Sequence, residues 1–131
     1  MVKVAAAQIN VTNSIERNLN KIIEYIKKSS SKKVDIVCFP EAALVHNKNK
    51  KIIEKIKIKK YIDNIMNVCK QNNIHCIFGT NLFERNKIYN SAFIIDNKGK
   101  VIYRYNKVNL WITEKSKTKG NNSKVIKTKL K

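Results

Sequence analysis

Apolar runs of strand length alternate along this chain with stretches of helical period, and this order limits the possible folds more than any other feature. The predicted strands are short and end at polar or turn-forming residues. They cover residues 3–9 (KVAAAQI), 34–39 (VDIVCF), 75–80 (HCIFGT), 88–96 (IYNSAFIID) and 100–105 (KVIYRY). With two helices between the first three, the order β, α, β, α, β, β, β predicts a mixed sheet with helices on one face, which is an α/β or layered α+β fold.

Two stretches carry an apolar stripe with the spacing of an amphipathic helix. The first begins after Thr12 and Asn13, and Glu16 stands three residues after Asn13 as a capping-box partner. This helix is expected to end in the serine run at 29–31. The second is predicted from Ile52 to Cys69 and is closed by the QNN at 71–73. The stripe residues are Ile15, Leu19, Ile22, Ile23 and Ile26 in the first helix, and Ile52, Ile53, Ile56, Ile62, Ile65, Met66 and Cys69 in the second.

The strand boundaries place one carboxylate at a strand end. The run at 34–39 is almost continuously apolar, which predicts a strand covered on both faces, and Pro40 ends it. Glu41 therefore follows the carboxyl end of a strand. The NKG at 97–99 predicts a hairpin with Gly99 in the left-handed conformation. Residues 124–130 (KVIKTKL) are the remaining candidate for a strand.

The composition fits one domain with an unusual charge. The 131 residues carry 28 Lys+Arg against 9 Asp+Glu, a formal charge of +19 that raises nucleic acid or an anionic membrane as a partner. However, 25 Lys, 18 Asn and 20 Ile make up nearly half of the chain, and all three have A/T-rich codons, whereas only three residues are Arg. Codon bias therefore explains the charge, and neither a specific nucleic-acid partner nor a membrane is expected.

The sequence also predicts a cytoplasmic protein without a cofactor. No apolar run approaches the ~20 residues of a membrane span, and residues 4–9 are too short for a secretory signal. Three cysteines without CxxC spacing indicate neither a disulfide framework nor a zinc ribbon, and Cys69, His75 and Cys76 match no standard metal site. Glycines only at 79, 99 and 120 leave no phosphate-binding loop.

Three blocks of sequence, in order, resemble a known family. They are KVAAAQINVT, VDIVCFPEAAL and FGTNLFERNKIYNSAFIIDNKGKVIYRYNKVNLW. Together they resemble the N-terminal half of the nitrilase superfamily, the carbon-nitrogen hydrolases, from residue 3 to about 128. The resemblance implies that residues 1–131 are the N-terminal half of a single domain, with part of an α/β/β/α four-layer sandwich.

The resemblance also implies catalytic residues. Glu41 matches the family's general base, Lys107 in YNKVNL matches the lysine that stabilises the tetrahedral intermediate, and Glu114 matches a second, supporting glutamate. These types suit the chemistry, because attack on an amide or nitrile carbon needs a thiolate, a base and a positive donor. The family's nucleophilic cysteine follows a segment like VIKT, and this sequence does not contain it.

Each of these residues also has an ordinary structural interpretation. Without its context Glu41 is a solvated loop carboxylate, and Lys107 is one surface lysine among 25. The three cysteines, Cys38, Cys69 and Cys76, lie in apolar surroundings that favour inert thiols and exclude them as replacement nucleophiles. Asn90 lies in a strand that the family places near its active site, next to Tyr89, which is expected to pack in the core. Trp111 either lines a substrate pocket or covers the core edge.

The sequence therefore predicts a hydrolase of non-peptide carbon–nitrogen bonds in small amides or nitriles, homo-oligomeric when intact. The 131-residue chain alone is expected to be inactive and poorly soluble, because it lacks the nucleophile and leaves apolar sheet surface exposed. Two alternatives stay open. One is a basic nucleic-acid-binding module, which would need aromatic side chains among its lysines. The other is a non-catalytic partner subunit with the same fold.

Overall fold

The structure, a computed structural model, describes residues 1–47, 49–121, 123–128 and 130. Lys48, Asn122, Lys129 and Lys131 lie outside the described residues. In chain order the elements are β1 (Val4–Ala6), α1 (Ile15–Ser31), β2 (Ile36–Cys38), α2 (Lys50–Ile53), α3 (Ile58–Gln71), β3 (His75–Glu84), β4 (Lys87–Ile95), β5 (Val101–Asn106) and a short 3₁₀ helix (Ile112–Glu114).

The five strands form one mixed sheet in the order β1-β2-β3-β4-β5. Strands β1, β2 and β3 are parallel, whereas β3, β4 and β5 are antiparallel neighbours. Parallel neighbours need crossover connections, which α1 supplies between β1 and β2 and the α2–α3 segment supplies between β2 and β3. The α/β class predicted from the element order is confirmed.

The core lies between the sheet and the two long helices. The α1 stripe buries Ile22 and Ile26 completely, and α3 buries Ile65 in the same way. They pack with side chains that alternate to this face of the strands, including Phe78 and Phe93, whose rings stack 5.5 Å apart. Fully burying one such side chain contributes about 1.5–3 kcal/mol, so the predicted α1 stripe stabilises the packing of this helix on the sheet.

The start of α1 differs from the predicted Asn13–Glu16 capping box. Ser14 is the N-cap, and its hydroxyl accepts a hydrogen bond from the backbone N–H of Arg17 at 3.3 Å. The Glu16 carboxylate instead accepts from the Tyr61 hydroxyl at 2.7 Å. Because the Glu16 carboxylate binds Tyr61, 45 residues later on α3, it does not form the predicted local capping box.

The second predicted helix, from Ile52 to Cys69, is two helices in the structure. Helix α2 ends at Ile53, and α3 begins at Ile58. In one continuous helix Ile56 and Ile58 would face about 200° apart, so both could not reach the core. The break, with Lys57 in a non-helical conformation, lets both pack against it.

Strand β3 continues past the predicted end at Thr80 to Glu84, where a two-residue turn joins it directly to β4. Arg85 and Asn86 both have positive φ, 48° and 62°. This conformation belongs to the tight hairpin turns whose twist matches the flanking strands. The second hairpin has Gly99 at φ 75°, as predicted.

The other face of the sheet is only partly covered. Val37 on β2 is completely buried, but its neighbours Ile36 and Cys38 are half-buried, so the prediction of a strand covered on both faces is wrong. The first strand, predicted over residues 3–9, spans only Val4–Ala6, and Val4 is 62% exposed on this edge strand. Residues 123–128 and 130 form no strand, contrary to the prediction for 124–130, which also includes the undescribed Lys129. Ile126 instead lines a cavity of about 300 Å³ on this face together with Ile77, Ile94 and Tyr103.

Within the described part of the chain, no helix combines the length and the apolar character needed to cross a membrane.

Candidate active site

Glu41 is positioned by a loop that crosses the middle of β3. After Pro40 ends β2, the chain returns over Gly79, where the N–H of Leu44 donates to the Gly79 carbonyl at 3.1 Å. A Cβ at Gly79 would lie 2.6 Å from the backbone nitrogen of Ala42, so glycine permits this close approach. Ala42 itself has φ 53°. The loop therefore holds the Glu41 carboxylate above the sheet at the carboxyl end of β2.

Lys107 reaches this carboxylate from the residue that follows β5. Its backbone N–H donates to the Asn90 carbonyl at 2.8 Å, and its carbonyl accepts from Gly120 at 2.9 Å, so both of its main-chain groups are paired. The ammonium lies 2.8 Å from a Glu41 carboxylate oxygen. It lies 2.8 Å from Glu114 as well. The structure thus brings together the three residues that the family resemblance singled out.

Glu114 is the buried member of the group. Its side chain is 7% exposed at the end of the 3₁₀ helix, with Oε2 accepting from the Lys107 ammonium and from the Trp111 N–H at 3.0 Å. Its Oε1 accepts from Asn90 at 2.9 Å and from the Lys117 ammonium at 2.7 Å. A carboxylate buried to this extent needs such partners, because desolvation disfavours its charge.

Two residues of this network were not identified as functional from the sequence. Asn90 on β4 donates from Nδ2 to both Glu41 and Glu114, and so ties the two carboxylates together. Its sequence signals are that it is a polar residue within the apolar run IYNSAFII and that the family resemblance places this strand near the active site. Lys117 has a side chain that is 4% exposed, and nothing in the sequence separates it from the other lysines.

The charges shift the ionisation of these groups in consistent directions. The Lys107 ammonium lowers the pKa of Glu41 below its ordinary value, against the opposing effect of burial. Burial by itself raises the pKa of Glu114, but donors from Lys107 and Lys117, with Trp111 and Asn90, outweigh it and hold that pKa well below the ordinary value. The same carboxylates, Glu114 first, raise the pKa of Lys107. All three are therefore charged at neutral pH.

Two cavities open on this network. One, of about 330 Å³, is lined by polar side chains including Asn81 and His46, and by Trp111 at its rim. The other, of about 420 Å³, is largely apolar, with Phe39 and Tyr105 in its walls. Glu41, Asn90 and Lys107 line both. Trp111 is 70% exposed, so of its two predicted roles the structure places it at the pocket rather than over the core.

None of the three cysteines lines either cavity. Cys69 and Cys76 are completely buried, and Cys38 is half-buried on β2. Burial raises the pKa of the Cys38 thiol, and burial together with neighbouring Cys69 raises that of Cys76 well above its ordinary value. Such thiols form little thiolate at neutral pH. Across residues 1–47, 49–121, 123–128 and 130, no group of three or more His, Cys, Asp or Glu side chains is arranged to hold a metal ion.

Comparison with known proteins identifies the family. The sequence profile described as carbon-nitrogen hydrolase matches residues 3–130, almost the whole chain. The chain belongs to the carbon-nitrogen hydrolase family.

Relatives of this chain include a deaminated glutathione amidase from Dictyostelium discoideum. It is 29% identical over 140 residues, which cover 95% of this chain and 48% of the relative. Among solved structures, a mutant of the amidase from Nesterenkonia sp. AN1 in complex with butyramide has a TM-score of 0.81 at 16% identity, over 92% of this chain and 49% of the amidase. A second mutant of that amidase, with acrylamide added at its active-site cysteine, has a TM-score of 0.82 at 15% identity, over 93% and 51%.

These structures show that the fold is that of nitrilase-superfamily amidases. The chain spans about half the length of each of these relatives.

Proposed function

We propose that Glu41 and Lys107 act as general base and positive donor in a cysteine-dependent hydrolysis of the carbon–nitrogen bond of a small amide. The observation that carries this proposal is the 2.8 Å contact between the Lys107 ammonium and the Glu41 carboxylate, at the border of two cavities. A carboxylate and an ammonium that meet in a cleft, held from two different strand ends, supply two of the three groups that amide attack requires.

In the first half of the reaction a cysteine thiol attacks the amide carbon. Glu41 takes the thiol proton as the C–S bond forms, and the carbonyl oxygen becomes an oxyanion beside the Lys107 ammonium. The C–N bond then breaks, and the proton held by Glu41 passes to the leaving nitrogen. The products are a thioester and ammonia or an amine.

In the second half water hydrolyses the thioester. Glu41 takes one proton from the water, the new C–O bond forms, and the thiolate leaves with that proton. A carboxylic acid is released and the thiol is restored. Glu41 serves in both halves because it is ionised at neutral pH and lies at the border of both cavities.

The nucleophile must come from outside these 131 residues, since none of the three cysteines lines the cavities. The apolar cavity beside Glu41 and Lys107 offers space for a segment that carries it. For the same reason we expect the 131-residue chain by itself to have no turnover.

A small amide is the substrate class that the relatives support. The Dictyostelium relative is named deaminated glutathione amidase. Mutants of the Nesterenkonia amidase were solved with butyramide and with acrylamide added at the active-site cysteine. A cavity of about 330 Å³ is in the size range of small-molecule sites.

The test is amide hydrolysis by the protein as the cell produces it, followed as ammonia release from a panel of short aliphatic amides. Because each residue acts in the transition state, Glu41→Gln and Lys107→Met are each expected to lower kcat/KM by at least about 10²-fold. Glu54→Gln, at an exposed carboxylate with no role in the network, is the matched control and is expected to leave kcat/KM unchanged. Turnover that survives both site substitutions would refute the proposal.

A further inference from the structure

Lys117 has a buried side chain whose ammonium pairs with one carboxylate, that of Glu114. Its side chain is 4% exposed, and its ammonium lies 2.7 Å from Oε1 of Glu114, which is itself 7% exposed. Lysine is almost never buried to this degree unless it is paired. By contrast, Lys115, only two residues earlier, is exposed.

With Lys117 included, the site is a row of four alternating charges: Glu41, Lys107, Glu114 and Lys117. Each ammonium to carboxylate contact in this row is 2.7 or 2.8 Å. The two oxygens of Glu114 are divided between the lysines, because Oε1 pairs with Lys117 and Oε2 with Lys107. Within this row Lys117 contacts Glu114 alone, and Glu114 links it to Lys107 and Glu41.

We infer that Lys117 is a positioning residue: by pairing with Oε1 of Glu114 it keeps that carboxylate ionised and turned so that Oε2 holds the Lys107 ammonium beside Glu41. The catalytic consequence rests on the proposed function, whereas the electrostatic one does not.

Two observations support this role. Without Lys117, Lys107 would be the only ammonium in the row, shared by the carboxylates of Glu41 and Glu114. The net charge of the row would then change from neutral to negative. Like charges brought together in a partly buried site favour protonation of one of them. In addition, Asn90 shares Oε1 with Lys117 and also donates to Glu41, so a turn of the Glu114 carboxylate would disturb both catalytic groups.

The ionisable and polar groups around Glu114 come from four parts of the chain. Glu41 comes from the loop after β2, Asn90 from β4, and Lys107 from the end of β5; the Trp111 N–H and Lys117 flank Glu114 in sequence. His46 lines the same cavity.

The direct test is an NMR titration of the Glu114 side-chain carboxyl carbon in the protein as the cell produces it, assigned with Glu114→Gln. In the unaltered protein we expect Glu114 to stay ionised to the lowest pH at which the fold persists. In Lys117→Met, which keeps the side-chain length without the charge, Glu114 should titrate within the folded range, with a midpoint about one pH unit or more above the lowest pH at which it is still ionised in the unaltered protein. Lys117→Arg should keep the midpoint low, and the exposed Lys115→Met should not move it.

An unchanged Glu114 midpoint in a folded Lys117→Met protein would overturn the inference. Should Lys117→Met fail to fold, the double variant Glu114→Gln with Lys117→Met decides. If the double variant folds, the charge of Lys117 is needed because of Glu114, as inferred. If it also fails to fold, Lys117 serves packing and the inference is wrong.

Kinetics give a second, separate readout. A positioning role predicts that Lys117→Met lowers kcat about tenfold or more with little change in KM, and moves the acid limb of the kcat/KM profile to higher pH. A purely structural role would scale activity equally at every pH. Absence of amide turnover in the unaltered protein would remove the proposed function, and the NMR result would still decide the inference.

Discussion

At the residue scale, the site depends on one buried carboxylate that collects four donors. Glu114 accepts from two ammonium groups, an amide side chain and a backbone N–H, which together outweigh the cost of removing it from water. Glu41, 60% exposed, is held mainly by Lys107 and Asn90. Under the proposed mechanism this difference in burial suits two different roles: Glu114 would orient Lys107, and Glu41 would be accessible to the reacting groups.

The pKa shifts predict how stability depends on pH. The pKa of Glu114 is depressed in the folded state, so its contribution is fully present above the unfolded value of about 4.3 and is lost as pH falls toward the folded pKa. Glu114→Gln should therefore flatten the acid side of the stability profile and cost on the order of 3 kcal/mol at pH 7, because two lysines lose a buried partner. Urea denaturation between pH 3 and 7 measures this, with Glu54→Gln as the exposed control. An acid limb as steep as that of the unaltered protein would contradict the assignment.

At the scale of elements, the loop of residues 40–45 depends on strand β3 beneath it. The Asn81 N–H donates to the Val45 carbonyl at 3.0 Å, and the Leu44 N–H donates to the Gly79 carbonyl, so the loop is held at two points. Leu44 and Ala43 are completely buried. The loop that presents Glu41 is thus part of the packed structure, which fixes its carboxylate relative to Lys107.

Gly79→Ala tests this dependence. The added Cβ would lie 2.6 Å from the Ala42 nitrogen and 3.0 Å from the Glu41 Cα, and both are backbone atoms that cannot turn aside. We expect a loss of about 1–3 kcal/mol in the free energy of unfolding and a larger Glu41–Lys107 separation. Chemical denaturation and a crystal structure measure these. Ala92→Ser, at the half-buried residue opposite Gly79 on β4, adds one atom without that clash and is the control. A Gly79→Ala protein with the stability of the control would show that the loop is not held in this way.

Local patterns predicted the elements well, and their failures have tertiary causes. The stripe of α1, the hairpin at Gly99 and the position of Glu41 after a strand all follow from neighbours in sequence. The capping box failed because Glu16 pairs with Tyr61 on α3. The site residues show the same limit. Family motifs predicted Glu41, Lys107 and Glu114, but nothing in the local sequence distinguishes Lys117, with its buried side chain, from 24 other lysines.

Across the whole molecule, the two faces of the sheet differ in how far they are covered. The helices cover one face of the sheet, whereas the other face presents Ile36, Ile77, Ile94 and Tyr103, all half-buried. This face adjoins the apolar cavity beside Glu41, since Ile77 also lines that cavity. The chain spans about half the length of these relatives.

The proposed cysteine-dependent hydrolysis can be tested by the intact mass of the protein, as the cell produces it, quenched in acid during turnover of a short aliphatic amide. We expect a covalent acyl adduct on a cysteine other than Cys38, Cys69 and Cys76. We also expect that Glu41→Gln and Lys107→Met prevent its accumulation while Glu54→Gln does not. An adduct on one of those three cysteines, or amide turnover with no adduct and no dependence on Glu41 and Lys107, would contradict it.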